Sequence, residues 1–244
     1  MTKQWQLGAH RLMCADSTDK DAVLAFWGGE VPDMILTDPP YQMTYGGGGC
    51  FKGSTDRISE RLKKLIHFDA GTIAFYRELG VPSVYIFTSR DLIRDYLEQY
   101  RRWSSTILVW CKTNPTPFCA SSHLPDIEYL LYFRKRGAVF NGGMKPMSIY
   151  SRFYLSPKEE GKREAGDVHP TVKPLTLLKN KILISSKPGG IVFDGFGGSG
   201  STLIAAELTG RRCLMMEYEE EYCRVIIDRW EKLTGQKAVE VTAI

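Results

Sequence analysis

Asp38-Pro39-Pro40-Tyr41 sets an acceptor carboxylate and a flat aromatic ring on either side of two residues that lack an N–H. Consecutive prolines make a rigid, extended turn and leave nearby carbonyls turned outward. An exocyclic amine on an aromatic ring is a poor nucleophile, because its lone pair is delocalised into the ring. If Asp38 and the Pro39 carbonyl each accept one of its hydrogens, the nitrogen is drawn toward a tetrahedral, more nucleophilic state, while Tyr41 stacks on the ring. The same tetrapeptide also arises as a plain turn after a strand, so its meaning depends on what else the chain holds.

The chain also holds Asp194-Gly195-Phe196-Gly197-Gly198-Ser199-Gly200-Ser201-Thr202, after an apolar run and at the start of a helical pattern. Glycines there permit a sharp turn and close approach to a ligand, and a helix start offers free N–H groups. The P-loop pattern is excluded, since it needs a lysine where Ser201 follows Gly200. A dinucleotide reading meets another obstacle: Asp194, ahead of the glycines at the end of a strand, repels a pyrophosphate and welcomes a cationic amino-acid group. Glu217 ends the next strand about 20 residues on, where an acid suits ribose hydroxyls in either reading. Taken together, the strand-tip carboxylate, the glycine loop and the ribose acid fit S-adenosylmethionine, which carries an ammonium and a sulfonium.

Elements must hold these groups in place. Short apolar runs at 33–37, 83–88 and 190–193 read as buried parallel strands, and 11–14, 105–110, 129–133 and 212–216 as further strands. Amphipathic helical stretches at 18–27, 68–79, 91–100, 174–185, 201–208 and 219–233 alternate with them, which predicts a doubly wound α/β sheet. Between 105 and 133 no helix-length spacer occurs, so that pair reads as an antiparallel hairpin at a sheet edge. Two segments fit neither pattern. The glycine-rich stretch 42–57 is too long for a turn, and 134–168 is irregular with scattered charges and aromatics.

Composition bounds the rest. A chain of 244 residues fits one α/β domain spanning 1–244. A formal charge of +4 is compatible with a polyanionic partner without demanding one. The six cysteines form no CxxC pair and no metal spacing with the four histidines, so reduced thiols and no metal are expected. No apolar run approaches the ~18 residues of a membrane span, and the first residues lack an apolar signal core. A soluble, cytoplasmic protein with no membrane partner is the expectation.

These motifs, in this order, resemble the β class of DNA amino-methyltransferases, in which the Asp-Pro-Pro-Tyr motif precedes the cofactor loop. Cys14-Ala15-Asp16 is similar to the acidic strand end that meets the cofactor's adenine. The segment His169-Pro170-Thr171-Val172-Lys173-Pro174 is similar to the family's HPTxKP stretch. The resemblance covers nearly the whole chain. It implies a class I methyltransferase fold, Rossmann-like, with a seven-stranded mixed sheet and helices on both faces. It makes Asp38, Pro39, Pro40 and Tyr41 catalytic. It gives S-adenosyl-L-methionine as cofactor, bound by Asp16, His169, Thr171, Lys173, Asp194 to Thr202, Glu217 and the adjacent Tyr218. Asp-Pro-Pro-Tyr, as against Ser-Pro-Pro-Tyr, is the family's usual mark of adenine N6 methylation in double-stranded DNA by base flipping, with cytosine N4 as the alternative. Asn-Pro-Pro-Tyr is more usual where protein or RNA is the substrate. A restriction-modification setting in a prokaryotic or phage-infected cell follows from the same resemblance.

In this family the target-recognition region lies between the hairpin and the HPTxKP stretch, and here only 134–168 is left for it. So short an insert implies a short target, relaxed specificity or a homodimer whose second subunit adds contacts. Lys52 and Arg57 in the glycine-rich stretch, with Asn114, Ser121 and His123 in the hairpin loop, are candidates for DNA contact; surface charge and loop structure are the plainer readings. Two other functions stay open: a catalytically silent S-adenosylmethionine-binding module on DNA, and a Rossmann oxidoreductase. The intact Asp38 argues against the first, and Asp194 against the second.

Overall fold

The computed structural model describes residues 3–40, 68–115, 123–124, 126–157 and 172–242. The seven apolar runs form one continuous mixed sheet. They are β2 (His10–Cys14), β3 (Met34–Thr37), β4 (Ser83–Thr88), β5 (Ser104–Lys112), β6 (Ile127–Arg134), β8 (Ile191–Asp194) and β9 (Arg212–Glu217). Three further strands, β1 (Lys3–Leu7), β7 (Phe153–Ser156) and β10 (Val239–Thr242), extend it to ten among the described residues, in the order β10-β1-β2-β9-β8-β3-β4-β6-β5-β7.

From β2 to β4 all neighbours are parallel. Every residue of β3 and β4 is buried, as strands covered on both faces must be. β6 then inserts antiparallel between β4 and β5, the antiparallel hairpin that the missing spacer predicted, but β7 pairs beyond β5 and takes the sheet edge in its place. Helices cover both faces. α3 (Leu175–Ser185), α4 (Ser201–Leu208) and α5 (Glu220–Thr234) pack on one side around Leu36, Leu178, Leu203 and Trp230. On the other lie α1 (Lys20–Trp27), α2 (Ile93–Gln99) and a 3₁₀ segment, Ala70–Glu78, around Trp27, Ile35, Tyr76 and Phe193. α1 starts where Asp19 accepts from the Asp21 and Ala22 amides and ends at Gly28, whose φ of 60° suits a residue without a Cβ.

The chain path creates a switch point. From β8 the chain winds to β9, with β2 beyond it, while from β3 it winds the opposite way to β4. In such sheets a crevice opens at the C-terminal strand ends where the winding reverses, here between β8 and β3. The glycine loop leaves one wall of that crevice and Asp38 leaves the other.

Of segment 134–168, the described part begins at the far end of the sheet, where the Lys135 amide donates to the Pro82 carbonyl at 2.9 Å. It passes beneath α3, and β7 then runs parallel to β5 back toward the strand tips.

Candidate active site

Four acidic residues stand at the ends of four adjacent parallel strands: Asp16 after β2, Glu217 on β9, Asp194 on β8 and Asp38 after β3. Their surroundings differ. Asp16 is exposed and turns back on its own backbone, accepting from the Thr18 amide at 2.9 Å and the Thr18 hydroxyl at 2.7 Å. Asp194 is 3% exposed. Its Oδ1 accepts from the Thr37 hydroxyl at 2.8 Å and from the Phe196 amide at 3.0 Å, and Thr202 adds a further hydrogen bond. The Thr37 bond crosses the switch point, tying the glycine loop to the residue just before Asp38. Burial pushes the Asp194 carboxyl up to about 7 in spite of these donors, and the nearby Asp38 charge pushes the same way.

Glu217 is also buried. Its Oε2 accepts from the Gly198 amide at 2.7 Å and its Oε1 from the Glu219 amide at 2.8 Å. Burial raises its carboxyl above the usual range, and those two amides only partly offset the rise. Tyr218, next in the chain, is exposed.

The loop between these carboxylates is held closely. A Cβ on Gly195 would collide with the Tyr76 hydroxyl, which donates to the Ser17 carbonyl at 3.1 Å. Gly200 opens α4 at a φ of +79°, a conformation that other residues rarely adopt. From α5, the buried Arg229 donates to the Ser199 carbonyl and, at 3.3 Å, to the Ser201 hydroxyl. The Gly197 amide donates to the Met216 carbonyl at 2.9 Å.

Across the crevice the partners are charged. Lys173, 5% exposed, meets Asp38 Oδ2 through its ammonium and lies 3.3 Å from Glu128 Oε2. Glu128 Oε1 in turn lies 2.7 Å from the Lys112 ammonium. Burial alone would raise the Glu128 carboxyl, but the two ammoniums outweigh it and hold it below the usual carboxylate range. The Lys173 ammonium also lies 4.9 Å from the centre of the Phe87 ring on β4. The row Lys112–Glu128–Lys173–Asp38 therefore fixes Asp38 from beneath.

The structure brings Asp16, Asp38 to Pro40, Lys173, Asp194 to Thr202, Glu217 and Tyr218 to one end of the sheet. Lys173, which the HPTxKP resemblance assigns to cofactor binding, has its charge on Asp38. Asn114 and His123 are exposed in the loop joining β5 to β6, at the same end. Tyr41, Lys52, Arg57, Ser121, His169 and Thr171 lie outside the described residues. Glu128 and Lys112 were not singled out from the sequence. Their one signal is opposite charge on paired strands, since Trp110 faces Glu128 and places Lys112 diagonally across from it.

Residues 32–228 match a family described as DNA methylase. The type II methyltransferase M2.DpnII of Streptococcus pneumoniae is 32% identical over 228 residues, covering 83% of this chain and 83% of its own. For M.HinfI of Haemophilus influenzae the identity is 28%, over 82% of this chain and 63% of that protein. Among solved structures, M1.HpyAVI in complex with SAM is 28% identical, with a TM-score of 0.63 over 89% of this chain and 98% of that one. The cytosine-N4-specific PvuII DNA methyltransferase, 15% identical, shares the fold at a TM-score of 0.66 over 94% of this chain and 92% of its own.

Proposed function

Because the chain belongs to the DNA methylase family, we propose that it methylates the N6 amino group of an adenine in double-stranded DNA, using S-adenosylmethionine. The observation that carries this reading is the pairing across the switch point: an acceptor carboxylate, Asp38, beside a glycine loop backed by the buried carboxylates of Asp194 and Glu217.

The residues suit that cofactor. Both buried carboxylates have raised pKa values and neutral donors, so a cation lodged near them relieves an electrostatic cost. Asp194 to Thr202 would cradle the methionine part, Glu217 the ribose and Asp16 the adenine. Bound there, S-adenosylmethionine supplies an electrophilic methyl group. Asp38 accepts one hydrogen of the target amine and the Pro39 carbonyl the other, so the lone pair leaves the ring and localises on nitrogen. Lys173 holds the Asp38 carboxylate in place, and the Glu128–Lys112 pair holds Lys173. Tyr41 stacks on the base, which must be flipped from the duplex because a paired amine cannot reach Asp38.

For DNA contact we assign Asn114, Ser121 and His123 in the hairpin loop, with Lys52 and Arg57 on the backbone. Since 134–150 starts at the far end of the sheet, few residues of the 134–168 insert remain to read bases. A bidentate contact gives only ~1–3 kcal/mol of discrimination, so the target is short or a second copy of the chain adds contacts. Methylome sequencing of random DNA together with light scattering decides this: a monomer confined to one site of about six base pairs or more contradicts it.

The test of the activity is to incubate the protein with DNA and methyl-labelled S-adenosylmethionine and identify the labelled nucleoside by mass spectrometry. N6-methyladenine is the expected product. N4-methylcytosine would assign the enzyme to the other amino group, and no labelled base would favour a silent binding module.

A further inference from the structure

α3 starts beside Lys173 and runs away from Asp38. About 9 Å along its axis from Leu175 it carries Lys181, which is 4% exposed. Among the described residues, its ammonium has no hydrogen-bond or ion-pair partner. Buried lysines without an anion are rare, because desolvation disfavours the charged form. Burial accordingly brings its pKa down to about 8.

Lys181 lines a cavity of about 250 Å³ between the lower halves of β5 and β6 and the segment that closes over them. Arg134, at the end of β6, and Arg152, just before β7, line it too. No aspartate or glutamate is among its described lining residues. Its wall is aromatic: Tyr85 and Tyr132 stack with centroids 4.1 Å apart, and the Arg134 guanidinium lies 5.2 Å from the centre of Phe140. The closing segment is fastened rather than loose. Asn141 Nδ2 donates to the Leu183 carbonyl at 2.7 Å and the Ser186 carbonyl at 2.9 Å, while its amide donates to the Ile184 carbonyl at 2.8 Å. The Tyr150 hydroxyl accepts from the Met144 amide at 2.9 Å.

A preformed space lined by three cationic side chains and, among its described lining, no carboxylate, with one nine-tenths-buried lysine whose ammonium has no partner among the described residues, forms a site suited to an anion. We infer that this cavity binds a phosphate group, with Lys181 as its inner ligand, Arg134 and Arg152 as its outer ones, and the aromatic wall receiving the body that carries the phosphate. Such a group can come from a free nucleotide or from the DNA backbone. The inference stands apart from the reading of the strand tips, because Arg134 faces Ser83, at the opposite end of β4 from Thr88.

The test uses the full chain, titrated at neutral pH with inorganic phosphate, with deoxyadenosine monophosphate and with a short DNA duplex. Calorimetry and thermal melting follow the wild type, Lys181→Met and Arg152→Ala. Saturable phosphate or nucleotide binding that weakens about ten-fold or more in Lys181→Met, and less in the surface variant Arg152→Ala, supports the site. If duplex affinity also falls in both variants, the DNA backbone is the source; if only nucleotide binding falls, a free nucleotide is. Arg152→Ala keeps the test open should Lys181→Met misfold. No saturable binding by the wild type, or equal binding by all three proteins, overturns the inference.

Discussion

On one side of the crevice, the carboxylates of Asp194 and Glu217 are met by hydroxyls and amides, which carry no net charge. On the other side, Asp38 and Glu128 are met by the ammoniums of Lys173 and Lys112. The consequences for charge are opposite. Asp194 is pushed up to about 7 and Glu217 is raised, while Glu128 is held down. The carboxylates of one wall are already met by cations, and among the described residues those of the other are met by neutral donors. A cationic cofactor bound to the second wall and a neutral base offered to the first is the division of labour this contrast implies.

The largest expected effect separates the walls by rate. Asp38→Ala should slow methyl transfer by about 10²–10⁴-fold, the range for loss of a group acting on a proton in the transition state, while S-adenosylmethionine affinity stays within about two-fold of wild type. Comparable losses in single-turnover rate and in calorimetric affinity would mean that the walls are not separate. Next, Lys173→Met leaves Glu128 buried with one cation fewer and should cost about 3–5 kcal/mol in denaturant unfolding. Little change there would show that the ion-pair row contributes only geometry.

The pH dependence sharpens the contrast through its sign. The folded pKa of Asp194 lies above its unfolded value. Its carboxyl therefore stays protonated in the fold while the unfolded chain ionises, and apo stability should fall as pH rises from about 4 to about 7. The folded pKa of Glu128 is depressed, so its contribution is present above the unfolded value and is lost as pH falls below about 4.5. Asp194→Asn should flatten the first slope, worth a few kcal/mol, and Glu128→Gln the second, in melts across that range. The same slope in wild type and Asp194→Asn would remove Asp194 as its cause. The smallest effect belongs to Glu217→Gln, which keeps one carbonyl acceptor for the loop and should weaken S-adenosylmethionine by about 1 kcal/mol.

The two walls were not equally legible in the sequence. The glycine loop and Asp38-Pro39-Pro40 are local, and their chemistry follows from adjacent residues. The row beneath Asp38 is not: Lys112, Glu128 and Lys173 meet only once β5 and β6 pair in register and α3 docks beside them. Tyr76, which makes Gly195 obligatory, comes from a 3₁₀ segment whose pattern predicts a helix and nothing about its target. The seven inner strands announced themselves as apolar runs. The outer ones did not, because strands at or next to a sheet edge stay partly in contact with water. In β7, Phe153 and Leu155 are 59% and 61% exposed, and in β1 and β10 polar and apolar residues mix within four or five positions.

The division of labour is tested most directly by the protons that move when the cofactor binds. Near pH 6.5, calorimetry of S-adenosylmethionine binding is run in buffers of different ionisation enthalpy. A cation lodged beside Asp194 lowers its raised pKa, so the wild type should release protons on binding, and Asp194→Asn should release distinctly fewer. Binding with no proton release by the wild type, or the same release from both proteins, would contradict the assignment of the cofactor's charge to that wall.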